Sequence, residues 1–75
     1  MIKVRADLNA LTIDKSRVQL GGDLPEELKP GIRVLIYEPG DFEVEAIVER
    51  AKIENGAEVW YGIVDWDTYR DTPIP

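Results

Sequence analysis

The sequence predicts an all-β domain, specifically a five-stranded antiparallel small barrel or a strongly bent meander with one short helical turn. Apolar and polar residues alternate with a period of two in several segments, which is typical of strands with one buried face. Short clusters of glycine, proline and asparagine separate these segments, as turns do in small all-β folds. A chain of 75 residues has room for one domain, so we expect residues 1–75 to form a single core.

The first two strands are short and lie near the N-terminus. Ile2, Val4 and Ala6 alternate with charged residues, which predicts a half-buried strand. A polar turn over 14–16 separates this strand from a second apolar alternation over 17–20. We interpret this second alternation as another strand, which ends at a pair of glycines.

The single helical signal lies over 24–28, between the second and third strands. Pro25 suits the first turn of a helix, and the two glutamates that follow it oppose the positive end of the helix dipole. Pro30 limits this helix to about one turn, because the residue before a proline avoids helical backbone angles. A third strand is predicted over 32–37, followed by a turn over 38–41 that contains proline and glycine.

The longest predicted strands form a hairpin in the second half of the chain. Asn55-Gly56 is the strongest turn signal, because a two-residue type I′ turn needs positive φ at both positions. This turn joins a fourth strand over 42–53 to a fifth strand over 57–66. Counting back from the turn pairs Ile53 with Glu58.

Along the fourth strand the apolar residues shift from even-numbered to odd-numbered positions, so a regular strand would place them on two different faces. A β-bulge near Glu49-Arg50 restores a single apolar face, because one extra residue reverses the facing of everything beyond it. The resulting register predicts three pairs: Val48 opposite Gly62, Ala46 opposite Val64, and Val44 opposite Trp66. Trp60 and Trp66 then lie on the inner face, as the largest contributors to a thin core.

Composition argues against an enzyme. The chain has no cysteine and no histidine, so it lacks thiolate and imidazole groups for catalysis or metal binding. No spacing matches a phosphate-binding loop or a dinucleotide motif, and we expect no catalytic residue, no metal and no cofactor. Asp65, Asp67 and Asp71 could bind a hard cation such as calcium or magnesium, but their spacing matches no known loop. We therefore interpret them as solvated carboxylates, with Asp67 as the cap of a helical turn over 68–70, and residues 71–75 as an extended tail.

The net charge of −6 is unevenly distributed along the chain. Residues 1–37 carry six basic and five acidic groups, whereas residues 38–75 carry three basic and ten acidic groups. An acidic half opposes binding to phosphate backbones, which favours a protein partner with a basic surface over nucleic acid. Charges interrupt the N-terminal apolar residues, and no segment is apolar enough to span a membrane, so we expect a cytoplasmic protein without membrane contact.

One segment resembles a known superfold. Leu28-Lys29-Pro30-Gly31-Ile32-Arg33-Val34-Leu35-Ile36 is similar to the entry strand of Src-homology-3-like barrels, a group that includes KOW-type domains. The resemblance covers about residues 28–66 at the level of fold, and it implies a small barrel that binds peptides, RNA, DNA or proteins. Nucleic-acid-binding members carry basic loop residues, whereas the turn here carries Glu38 and Asp41.

Alternate residues of the fourth strand place three glutamates and an isoleucine on one face, beside tyrosine and isoleucine from the fifth strand. A further tyrosine, Tyr69, belongs to a cluster of aromatic residues within ten positions, whose other members are Trp60, Tyr61 and Trp66. Seven residues are therefore predicted to contact a partner: Glu43, Glu45, Ile47, Glu49, Tyr61, Ile63 and Tyr69.

These features favour a non-enzymatic protein-interaction or regulatory module that presents an acidic, partly aromatic surface to a protein. The first alternative is an acidic nucleic-acid mimic that occupies a basic groove, and the second is a KOW-type nucleic-acid-binding domain. A mimic needs carboxylates in rows spaced like phosphates, whereas a contact surface needs only a patch. Self-association is also open to this chain, because so small a domain builds only a thin core.

Overall fold

The computed structural model describes residues 1–21 and 24–72. Within these residues a single sheet curls into a half-barrel, which confirms the all-β prediction. The strand order is β1-β3-β4-β6-β2, and β5 pairs with an extension of β6. The strands are β1 (Ile2–Arg5), β2 (Arg17–Leu20), β3 (Arg33–Glu38), β4 (Phe42–Val48), β5 (Lys52–Glu54) and β6 (Ala57–Asp71).

The sheet is mixed rather than purely antiparallel. β1 runs parallel to β3, with Ile2 opposite Val34 and Val4 opposite Ile36, while the other strand pairs are antiparallel. After β1 the chain crosses to the opposite edge to form β2 before it returns to form β3. A hairpin turn would force two strands to be antiparallel, but the chain forms β2 between β1 and β3, so these two strands can pair in parallel.

The helical turn lies elsewhere than the sequence predicted. Over 24–28 the chain forms one hydrogen-bonded turn, in which the Leu28 N–H donates to the Pro25 carbonyl at 3.1 Å. The structure instead has a 3-10 turn at Leu8–Ala10, and the Asp7 side chain caps its N-terminus. A single turn gains too little from hydrogen bonding to be fixed by a proline signal alone.

The predicted hairpin turn is confirmed. Asn55 and Gly56 have φ angles of 52° and 78°, as a type I′ turn requires. Lys52 lies opposite Val59 and Ile53 lies opposite Glu58, which is the register counted back from this turn.

We expect Gly56→Val to destabilise this hairpin by about 1 kcal/mol or more, because a β-branched residue is strained at positive φ. Urea denaturation followed by tryptophan fluorescence measures the change, since Trp60 lies at the base of the hairpin. Superimposable curves for the variant and the wild type would contradict the assignment of this turn.

The predicted bulge before the hairpin is also confirmed. Val48 lies opposite Gly62 and Lys52 lies opposite Val59. The three residues 49–51 between β4 and β5 therefore face only the two residues 60–61 of β6. The Glu49 N–H donates to the Tyr61 carbonyl at 2.9 Å within this irregularity. The single extra residue returns the apolar residues of β4 to the inner face, as argued from the sequence.

A second, larger irregularity was not predicted. Glu45 lies opposite Asp65 and Glu43 lies opposite Arg70, so the four residues 66–69 of β6 face only Val44. The predicted pair Val44–Trp66 is therefore wrong.

Strand β6 also continues to Asp71, beyond the predicted end at Trp66 and into the predicted tail. Residues 73–75 of that tail lie outside the described residues. Within the irregularity the Thr68 hydroxyl accepts from the Glu45 N–H at 2.8 Å and donates to the Asp65 carbonyl at 2.7 Å. These side-chain bonds replace the missing ladder bonds and keep the chain extended.

The core fills the inner face of the half-barrel. Its buried apolar residues are Val4, Ala6, Val18, Leu20, Leu28, Val34, Ile36, Phe42, Val44, Ala46 and Val48. Trp60 packs partly against this core, whereas Trp66 is 41% exposed, so the predicted core position of Trp66 is wrong. No helix among the described residues is long and apolar enough to cross a membrane.

Candidate interaction surface

The outer face of the sheet, which points away from the core, gathers six of the seven predicted contact residues. Ile47 lies opposite Ile63 at the centre of this face, and Arg33 and Arg17 continue the same row on β3 and β2. Ile63 is 40% exposed, whereas Ile47 is half-buried. Their neighbours on the same face are Glu43, Glu45, Glu49 and Tyr61.

Each of the three glutamates on the outer face contacts an arginine. Arg33 donates to Glu45 at 3.0 Å and to Asp65 at 3.1 Å, and these hydrogen bonds raise the pKa of Arg33. The remaining two glutamates of this face also form ion pairs, Glu49 with Arg17 and Glu43 with Arg70. These arginines lie far from the glutamates in sequence, and their three positive charges offset most of the negative charge on the face that the sequence predicted to be acidic.

Tyr69 lies on the opposite side of the sheet from the other six residues. Its ring stacks on the core residue Phe42, with centroids 6.0 Å apart and planes at 10°. Trp66 tilts against the same tyrosine at 5.8 Å and 42°. The Tyr69 hydroxyl donates to Asp71 at 3.0 Å, and this bond, together with the negative charges of Asp71 and Asp41, raises the pKa of Tyr69.

These aromatic rings and the carboxylates around them form a second surface, which we call the aromatic end. It comprises Trp66 and Tyr69, which lie over the buried Phe42, with Asp41 and Asp71, whose charges act on Tyr69. Asp67, which directly follows Trp66 in the chain and is exposed, completes the surface. The Trp66 indole N–H donates to the Lys15 carbonyl at 2.8 Å, which holds the exposed ring in place. Across residues 1–21 and 24–72, none of the three aspartates takes part in an ion pair. The aromatic end therefore carries free negative charge that the outer face lacks.

A tightly hydrogen-bonded turn lies beside Trp66, over residues 12–16. The Asp14 carboxylate accepts from the Thr12 hydroxyl at 2.7 Å, from the Ser16 N–H at 3.0 Å and from the Ser16 hydroxyl at 2.7 Å. These bonds lower the pKa of the Asp14 carboxyl from 3.8 to about 2. Lys15 adopts a positive φ of 61° within the same turn.

We expect the Asp14 carboxyl to titrate near pH 2 in a ¹³C NMR pH titration. Since its folded pKa lies below its unfolded value, Asp14 stabilises the fold above about pH 4 and loses this effect as the pH falls toward 2. Ser16→Ala removes one donor and should move the midpoint toward 3.8. A midpoint near 3.8 in the wild type would contradict the hydrogen-bonded turn.

Comparison with known proteins finds no match to this chain among family models, curated proteins or solved structures.

Proposed function

We propose that this chain is a non-enzymatic protein-interaction module that presents an acidic, partly aromatic surface to a partner with a basic surface. The observation that carries the proposal is the exposed Trp66 ring, which lies on Tyr69 among aspartates without ion-pair partners in the described chain. Exposed tryptophan and tyrosine side chains are enriched among residues that dominate the energy of protein interfaces.

The charges of the aromatic end favour a basic partner. Asp41, Asp67 and Asp71 would attract cationic side chains toward Trp66, and an arginine or lysine over an indole face gains a cation–π interaction. The net charge of −6 adds long-range attraction to the same partner, which speeds its association at low salt.

The outer face is the second candidate location for the contact. Ile47, Ile63 and Tyr61 supply apolar area there, and ion pairs surround them. Such a face fits a neutral, apolar patch better than a basic one, because its glutamates already contact arginines. For the same reason it fits the nucleic-acid mimic poorly, since a mimic needs rows of free carboxylates.

Two charge-matched variants separate the two locations. Asp41→Asn/Asp67→Asn/Asp71→Asn and Glu43→Gln/Glu45→Gln/Glu49→Gln each remove three negative charges, so both have the same net charge. The protein partner captured by the wild type from its native cells, once purified, serves as the probe in stopped-flow or surface-based kinetics.

The aspartate variant is expected to associate about tenfold more slowly at low salt, and the glutamate variant within about twofold of the wild type. If the glutamate variant slowed association more than the aspartate variant did, the contact would be assigned to the outer face. If neither variant nor added salt changed the association rate, the partner's contact surface would not be basic.

We also expect no useful binding to duplex DNA or RNA at physiological salt. The free carboxylates repel phosphates, and three of the basic groups that a phosphate contact needs, Arg17, Arg33 and Arg70, already pair with acidic side chains. Fluorescence anisotropy with labelled duplexes measures the affinity. Submicromolar binding that weakens steeply with salt would favour the KOW-type alternative instead.

A further inference from the structure

The turn over 12–16 holds an isoleucine entirely in solvent. Ile13 is 103% exposed, although the turn that carries it is fixed by hydrogen bonds on both sides. The Thr12 N–H donates to the Arg17 carbonyl at 2.8 Å, and the Lys15 N–H donates to the Thr12 carbonyl at 2.9 Å. A rigid turn therefore presents an apolar side chain without any contact to the core, which is the arrangement of a pre-organised binding element.

An open cleft lies next to this isoleucine on the outer face, between the turn and the β5–β6 hairpin. Its lining residues are Thr12, Ile13, Asp14, Arg17, Lys52, Glu54 and Tyr61. The Lys52 ammonium lies 5.8 Å from the centre of the Tyr61 ring, and the Tyr61 hydroxyl donates to Glu54 at 2.8 Å. The floor of the cleft thus combines an aromatic ring with one cationic and one anionic side chain.

The charges that line the cleft balance, in contrast to those of the whole chain. Asp14 and Glu54 are acidic, and Arg17 and Lys52 are basic. Arg17 already pairs with Glu49, whereas within the described chain Lys52 and Glu54 take part in no ion pair, so these two supply the opposite charges that a second copy can use. Two copies of a chain with a net charge of −6 repel each other at the acidic aromatic end. At the cleft, however, each copy offers both signs of charge, so a second copy finds complementary groups there.

We propose that this cleft binds a second copy of the chain in a twofold-symmetric dimer, with Ile13 of each copy inserted beside Tyr61 of the other. In such an isologous contact the projecting residue and its receiving cleft must lie on one face of the same molecule, as they do here. The twofold axis brings Lys52 of each copy toward Glu54 of the other. The turn over 12–16 borders the aromatic end through the bond from Trp66 to Lys15, but no aromatic-end side chain lines the cleft, so the dimer does not depend on the proposed function.

Sedimentation velocity over about a hundredfold range of protein concentration tests this dimer, because mass action fills it as concentration rises. Ile13→Ser removes the inserted side chain at a position without core contacts. It should raise the dissociation constant of the dimer by about 100-fold, because the contact occurs twice. Ile53→Ser is the matched control, since Ile53 is also exposed, at 72%, and does not line the cleft although its neighbours Lys52 and Glu54 do. Successive residues of a strand point to opposite faces. Ile53→Ser should change the dissociation constant of the dimer by about twofold at most.

A charge exchange provides a second, independent readout. Lys52→Glu and Glu54→Lys should each weaken self-association, and an equimolar mixture of the two variants should form a mixed dimer tighter than either alone. A wild type that stays monomeric at every concentration would overturn the proposal. So would an equal loss with Ile53→Ser and Ile13→Ser, or a mixture of the charge variants that stays monomeric.

Discussion

Gly62→Val is expected to lower the free energy of unfolding by about 3 kcal/mol. Gly62 is buried on the inner face of β6, where a Cβ atom would lie 3.1 Å from Ala46 Cβ and 3.7 Å from Leu20 Cδ2. Real Cβ atoms rarely approach other atoms so closely, so β4 and β6 would have to separate. Overpacking of this kind costs about 1–3 kcal/mol, and a valine adds two methyl groups to the clash.

Gly21→Val is the matched control for this prediction. Within the described chain nothing lies within 4 Å of a Cβ atom at Gly21, so the same substitution should change stability by less than about 0.5 kcal/mol. Urea denaturation followed by circular dichroism compares both variants with the wild type. Equal stability of the two variants would show that β4 and β6 do not approach as described.

Phe42→Ala is expected to cost about 4 kcal/mol, the largest effect of any single truncation in this domain. Phe42 is 1% exposed and is the largest fully buried side chain among the described residues. Removing it leaves a cavity and strips Tyr69 of its stacking partner. A domain of this size has only about 5 kcal/mol of total stability, so the variant should retain about 1 kcal/mol and be partly unfolded near body temperature.

Two milder variants keep this prediction measurable if Phe42→Ala does not fold. Phe42→Leu retains most of the buried volume and should cost about 1.5 kcal/mol. Tyr69→Phe removes only the hydroxyl that bonds to Asp71 and should cost less than about 1 kcal/mol. A Phe42→Ala variant as stable as Tyr69→Phe would contradict the position of Phe42 in the core.

The local features of the fold were readable from the sequence. Asn55-Gly56 predicts its turn because few residues tolerate positive φ at both central positions. The phase change among apolar residues then predicts the bulge near Glu49-Arg50, because only one extra residue returns Val48 to the inner face. Both inferences depend on neighbouring residues alone, and both are confirmed.

The features that depend on distant residues were not readable. The parallel pairing of β1 with β3 joins segments about 30 residues apart, and no local pattern encodes such a pairing. The hydroxyl of Thr68 bridges β4 and β6, whereas in the sequence the neighbouring Asp67 resembled a helix cap. A polar side chain that replaces ladder bonds looks the same in sequence as one that ends a strand.

The candidate site shows the same limit. Strict alternation from Tyr61 places Tyr69 on the outer face, but the four-residue irregularity over 66–69 turns it to the side of Phe42. Glu43 and Glu45 of β4 were correctly placed on one face, and Glu49 follows just after this strand. The arginine partners of these glutamates, however, come from β2, β3 and the end of β6. The sequence reports the number of charges, whereas only the three-dimensional pairing shows which of them are free.

The most direct test of the proposed function is a ¹H–¹⁵N NMR titration of this protein with its purified partner. The account predicts the largest shifts at the Trp66 indole N–H and at the backbone amides of 66–71. The Trp60 indole N–H, which donates to Glu58 at 2.9 Å, should stay almost unchanged as an internal control. Shifts concentrated on β4 and the first part of β6, with Trp66 unmoved, would contradict the account and assign the contact to the outer face.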